Sequence, residues 1–511
     1  MSSFATALAL FVGFQILGLG LALRLRVLAD LPPRFLGLLI TASTALLSYG
    51  VFYVAVILPS MRSAAVVAVT LASVLATAAF LRTGAARAAL LTPTAWLPQL
   101  LAGLLAAIYL WPVLAAGPAI NDRLTWTLPS DNILPGLFAH RIMTTVGPER
   151  TAGLGPTGDH ASERPPLQAA VVVTVGSMVR GSSHEYTILA ALCQVQWLPA
   201  LWLVGAACGL SRRTLAVVLV ACAFSGFFFI NTIYTWPKLF AAALMLGALA
   251  VALERPGTTP QAARVRAILV AALCALSLLA HPGSGFTLIA VPICWPFLRR
   301  IVTLRMTRGA AAGGVLIASL LFAPWLAYQS VVDPPTGRLV REHLGDGRPD
   351  GSATQAVLRA NLERSFVEHV RVRAGNVAGQ LGNPLVAVWP PSIADGQFEQ
   401  FFHHGAALGW LLIGLAAILV TPRPGGADDA VRRLALLAVV ALALWSVLVF
   451  APGQAVIHHG SPVTTALLFF AGAYGLTRLP PPVGWTVLGL HVASSVYIWM
   501  LPVWRGPWGA G

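Results

Sequence analysis

Apolar stretches of about membrane-spanning length recur along nearly the whole chain, and arginines fill the gaps between them. The stretches run at roughly 4–25, 35–58, 64–82, 96–115, 186–209, 214–233, 236–253, 266–281, 284–298, 309–330, 405–421, 433–451, 462–478 and 484–503. One crossing of the hydrocarbon core takes about 20 apolar residues. The expected fold is therefore all-α: a polytopic membrane helical bundle of about 14 spans. Phe4 to Leu23 has no basic segment before it and reads as a retained first span.

Composition supports this reading. Hydrophobic residues make up 57% of the chain and charged residues 10%, against about 25% charged in a soluble domain. An ordinary soluble enzyme, a disordered chain and a collagen-like fibre are excluded. The net charge of +15 comes from short arginine clusters, with no basic stripe interleaved with aromatics. It fits the positive-inside rule rather than nucleic-acid binding. The five cysteines, Cys193, Cys208, Cys222, Cys274 and Cys294, each lie in an apolar run. They read as small buried hydrophobes, not as metal ligands or disulfides.

The arginine clusters also orient the chain. Arg24, Arg26 and Arg34 follow the first run, and Arg82 and Arg87 follow the third. Arg212 with Arg213, Arg255 to Arg266, Arg299 to Arg308, and Arg423 to Arg433 punctuate the rest. If all face the cytoplasm, the N-terminus lies outside. The apolar segment Pro165–Val179 would invert every later cluster if it were a span, so it is expected to be re-entrant or interfacial on the outer face. Pro165 and Pro166 suit its first turn.

Two long polar segments then share the outer side: 116–185, and 331–404. The second contains an expected helix from Ser352 or Thr354 to about Val377. Leu358, Leu362, Phe366 and Val370 form its apolar stripe.

Chemistry-bearing residues gather on that side. The first loop holds Asn121, Asp122 and Arg123, then Asp131 and Asn132, then Phe138, His140 and Arg141. An acid here serves either as general base for a hydroxyl or as a helix cap. Arg164, before Pro165-Pro166-Leu167, offers a bidentate contact to an anionic oxygen. Tyr234-Thr235-Trp236-Pro237-Lys238 carries the single lysine of an otherwise arginine-using chain. A compact ammonium at the outer face suggests a phosphate partner, with a snorkelling flank residue as the bland alternative. His281 joins two further spans, and His403-His404 and His458-His459 lie in loops. No spacing among them matches a metal motif, so neither a metal nor another cofactor is expected.

The order of these residues resembles that of GT-C-type polytopic membrane glycosyltransferases, among them protein O-mannosyltransferases and aminoarabinose transferases. The matching residues are Asp131, the Phe138-Ala139-His140 segment, and Arg164-Pro165-Pro166-Leu167. The resemblance covers about residues 96–300. It implies a bacterial cytoplasmic-membrane enzyme that moves a sugar from a polyprenyl phosphate to a hydroxyl acceptor in the cell envelope, with inversion. Asp131, or failing it Asp122, would be the base, and Arg164 and Lys238 would hold the departing phosphate. Asn132, His140, Arg141, Trp236 and His281 would contact substrate. A transporter or lipid flippase is the competing class, and a non-catalytic subunit of the same fold is another.

Overall fold

The computed structural model describes residues 3–116, 132–144, 160–178, 184–255, 257, 259–333, 337–338, 340–341, 345, 352–381, 408–421, 425–448 and 461–505. Among these, every regular element is helical. Eight helices are long and apolar enough to cross a membrane: Ser3–Leu28, Pro33–Ile57, Pro59–Leu81, Glu185–Ala207, Pro260–Ala280, Arg308–Val332, Gly426–Leu448 and Pro481–Met500. The pair Arg212–Ala223 and Gly226–Ile233, bent by 58°, makes a ninth when counted as one broken span. The chain is a multi-pass membrane protein.

The remaining apolar runs fold as shorter helices: Pro93–Tyr109, Lys238–Leu253, Pro282–Leu298, Leu411–Val420 and Pro462–Leu476. Proline sets several of these ends. Pro237 caps Lys238–Leu253, and Pro462 opens Pro462–Leu476. A proline has no N–H to give, so the first helical turn loses nothing by holding it.

The described chain divides into two compact units. The first comprises Met1–Ala207, Asn231–Pro282 and Val302–Asp333. Here Ser3–Leu28 and Leu36–Ile57 pack closely, and Thr44 Oγ1 donates to the Phe14 carbonyl at 2.8 Å. A buried amide cluster ties neighbouring helices together. Gln99 Nε2 donates to the Gly37 carbonyl at 2.7 Å and to Gln196 Oε1 at 3.0 Å, and Thr41 donates to the same Gln196 oxygen at 2.7 Å. Among apolar helices such bonds link partners that hydrophobicity alone would not select.

At the arginine-rich end of this unit, Arg34 pairs with buried Glu254 at 2.6 Å. Arg266, also buried, donates from Nε to the Ala29 carbonyl at 2.6 Å and from its other nitrogens to the Asp30 and Arg255 carbonyls. Those at Ala29 and Asp30 follow the C-terminus of Ser3–Leu28, where helix carbonyls have no intrahelical donor.

The segment after Pro165 is a short helix, Leu167–Val175, followed by a tight turn Gly176–Met178. Every residue from Leu167 to Val175 is buried. Neighbouring helices enclose it.

The second unit comprises Cys208–Ile230, Gly283–Ile301 and Pro334–Gly511. Phe227 stacks on Phe469 at 5.5 Å, and the buried His491 Nε2 meets the Ala221 carbonyl at 3.1 Å. The expected single helix 352–377 is two helices, Ala353–Leu362 and Phe366–Leu381. Ser352 starts the first through a reciprocal cap with Gln355. The break has a cause: Ser365 Oγ accepts the Glu368 N–H at 3.3 Å and starts a new helix. Leu362 and Phe366, the centre of the expected stripe, are each 80% exposed. All five cysteines are unpaired, four of them buried.

Candidate functional site

The first unit gathers three of the residues singled out in the sequence around the indole of a fourth. Lys238 opens its helix directly after the Trp236-Pro237 turn and is 2% exposed. Its Nζ lies 4.0 Å from the centroid of the Trp236 ring. The Arg164 guanidinium carbon lies 6.0 Å from the same ring. His281, at the C-terminal cap of Pro260–Ala280, meets Trp236 edge-on at 5.6 Å. Each cation is favoured by the π-face it meets.

The turn that presents this platform is strained. Thr235 has φ of +55°, a left-handed conformation that costs a residue with a Cβ about 1–2 kcal/mol. Hydrogen bonds hold it there. Gln168 Nε2 donates to the Thr235 carbonyl at 2.6 Å. Gln194 Nε2 donates to Gln168 Oε1 at 2.8 Å, and Gln194 Oε1 accepts the Phe240 N–H at 3.0 Å. A chain of amides thus runs from the buried helix Leu167–Val175 through His184–Gln194 to the start of Lys238–Leu253. Locked polar chains of this kind fix a geometry that apolar packing leaves loose.

Asn132 joins the same network through its backbone. Its carbonyl accepts from the Tyr186 hydroxyl and from Thr235 Oγ1. The side chain is buried, and Oδ1 has no hydrogen-bond partner among the described residues. Asn132 therefore joins the Thr235 turn that precedes Trp236. His140 does not: it is exposed on the helix Leu134–Thr144, whose buried residues are Leu134, Pro135, Phe138, Ala139 and Ile142. Arg141 is half-buried on that helix. Asp131 and Asp122 lie outside the described residues, as do Asn121, Arg123, His403, His404, His458 and His459.

Sequence reasoning gave no role to Gln168, Tyr186 or Gln194. Uncharged amides inside apolar runs carry little signal in one sequence. Their cost when buried without partners is what betrays them in a structure. Among the described residues no group of three or more His, Cys, Asp or Glu side chains is placed to hold a metal ion.

Strain at Thr235 allows a direct check. Thr235→Gly is expected to raise the unfolding midpoint in detergent, since glycine adopts this φ without the steric penalty. A lower midpoint would show that the threonine side-chain contacts outweigh the backbone strain.

Comparison with protein-family models, with curated proteins and with solved structures gives no match to this chain.

Proposed function

We propose that the protein is an inverting membrane glycosyltransferase of GT-C type. It moves a sugar from a polyprenyl phosphate to a hydroxyl acceptor at the outer face of a bacterial cytoplasmic membrane. In this reading the shorter apolar helices complete about 14 spans, and the platform around Trp236 faces outward. The observation that carries the proposal is the convergence of Arg164 and Lys238 on one indole. By type and position in the sequence both residues suit a phosphate partner, and 74 positions separate them in the chain.

The chemistry needs two things of the protein. The acceptor oxygen attacks the anomeric carbon while the bond from that carbon to the phosphate oxygen breaks. The electron pair leaves with the phosphate, so charge grows on its oxygens. A half-buried guanidinium and a buried ammonium, both held in place, stabilise that charge better than water does. The proton of the attacking hydroxyl must go to a base. From the sequence, Asp131 or Asp122 is expected in that role. Asn132 and His281 would contact the sugar phosphate.

The test is lipid selectivity. The protein, in nanodiscs holding undecaprenyl phosphate and an excess of phosphatidylglycerol, is examined by native mass spectrometry. Retention of one undecaprenyl phosphate per chain is expected. Equal retention of both lipids would sink the proposal and favour a transporter or a non-catalytic subunit.

A further inference from the structure

A second polar constellation lies on the Arg164 segment, and the sequence reading gave it no role. The helix Arg308–Ala327 continues into a wider turn, Tyr328–Val332, and ends at Asp333. Asp333 is 4% exposed. One carboxylate oxygen lies 2.7 Å from His160 Nδ1, and the other accepts the Ser162 N–H at 2.9 Å. Gln329 Nε2 donates to the Ser162 carbonyl at 2.8 Å, a second tie on the residue that carries that N–H. Both oxygens of the acid are thus committed, and it cannot turn away from the imidazole.

His160 is different in kind. Its side chain is 35% exposed. An ionised carboxylate only accepts, so Nδ1 donates to it, and the neutral form of this imidazole has its lone pair on Nε2. A buried carboxylate behind a partly exposed imidazole is the arrangement that fixes tautomer and orientation in a proton acceptor. It also stabilises the imidazolium that forms.

Position points the same way. The single turn Ala161–Glu163 connects His160 to Arg164. The Glu163 N–H donates to the His160 carbonyl at 3.2 Å, and the Arg164 N–H to the Ala161 carbonyl at 3.1 Å. Four residues of chain reach at most about 14 Å. The backbone that carries the imidazole is therefore tethered within about 14 Å of the backbone that carries the Arg164 cation.

We propose that His160, oriented by Asp333, is the proton acceptor for the attacking hydroxyl, in place of Asp131. This rests on reading the Trp236 platform as a polyprenyl phosphate site. In the step, the hydroxyl oxygen bonds to the anomeric carbon and its proton passes to His160 Nε2. The bond from that carbon to phosphate breaks, and its electron pair goes to the phosphate oxygen held by Arg164 and Lys238. The imidazolium then returns its proton to water. His160 is the catalytic residue; Asp333 is a positioning residue.

The test uses the full chain in detergent with undecaprenyl phosphate as the probe. Diethyl pyrocarbonate acylates an accessible, unprotonated imidazole nitrogen, and peptide mass spectrometry locates the adduct. His160 is expected to react, and bound undecaprenyl phosphate is expected to slow that reaction at least fivefold. An unreactive His160 overturns the proposal. So does a His160 that reacts at one rate with and without lipid, when native mass spectrometry shows that lipid bound; the phosphate site then survives without it. If the lipid does not bind at all, the functional reading fails first and the proposal falls with it.

Turnover supplies the second readout, using a panel of undecaprenyl phosphate sugars with glycerol as acceptor. His160→Asn places an amide nitrogen where Nδ1 stood, keeping the bond to Asp333 while removing the base. It is expected to lose 10²–10⁴-fold in rate with lipid binding unchanged. Asp333→Asn is expected to lose rate as well, again without loss of lipid binding. A parental rate for His160→Asn, or a loss confined to Asp131→Asn, returns the role of base to the aspartate. No turnover by the parent with any donor overturns the transferase reading on which the proposal stands.

Discussion

Lys238→Met is expected to lower the affinity for undecaprenyl phosphate by ten- to a hundredfold while leaving the helix content unchanged. The size follows from what is removed. A hydrogen bond to a charged group contributes about 1.5–3 kcal/mol, and each 1.4 kcal/mol is a factor of about ten in affinity. Lys238 is 2% exposed and sits 4.0 Å from the Trp236 ring centroid. A snorkelling lysine would instead extend its ammonium toward water and would tolerate the change. Methionine keeps the unbranched stem, so the packing around the helix start is largely retained. Arg164→Leu is expected to act in the same direction. Its effect should be smaller, because that guanidinium stands farther from the ring, at 6.0 Å. The measurement is native mass spectrometry across a lipid titration, with the unfolding midpoint followed in parallel. Parental affinity in a folded Lys238→Met protein would remove this residue from the phosphate site.

The residues around Trp236 were legible in the sequence because they interrupt apolar runs. A single lysine, an arginine before two prolines and a histidine at a span end stand out by type alone. Their depth was not legible: Lys238 reads as a flank residue from its position, yet the structure buries it. The amides that hold the platform were invisible for the opposite reason. Gln168 and Gln194 interrupt apolar stretches without charge, and only the contact between them, at 2.8 Å, gives either a meaning. His160 and Asp333 went unnoticed because 173 positions separate them. Each lies in a long polar segment, where a lone polar residue is ordinary.

The helical class and the membrane character followed from run length and composition. Helix ends did not. A run such as 462–478 looks like a span by hydropathy, but its helix is 15 residues long. Local caps decided other boundaries. Ser365 splits the helix that apolar periodicity drew as continuous through Leu362 and Phe366. Periodicity reports which face is apolar; it is silent about a serine that offers the backbone a better partner.

The largest effect on stability is expected in the second unit, at Gly475. The helices Leu411–Val420 and Pro462–Leu476 approach backbone to backbone. A Cβ at Gly475 would fall on the Gly414 carbonyl, one at Gly414 would fall on the Gly472 carbonyl, and one at Gly472 would stand 2.6 Å from the Leu411 carbonyl. Real Cβ atoms essentially never come within 3.0 Å of another heavy atom. Gly472 and Gly475 are three residues apart and so share one face of the helix. In lipid, where apolar side chains gain little by leaving their surroundings, close backbone contact is a main source of helix association. The clashing atoms are backbone, not the far end of a flexible side chain, so neither helix can yield locally. Overpacking a core costs about 1–3 kcal/mol when side chains can adjust, and more where backbone must move. Gly475→Val is therefore expected to lower the unfolding midpoint in detergent steeply or to prevent recovery of monodisperse protein. Gly489→Ala serves as the control in the same unit, since a Cβ there meets nothing within 4 Å. It should match the parent. If Gly475→Val unfolds at the parental temperature, these two helices do not meet at their glycines.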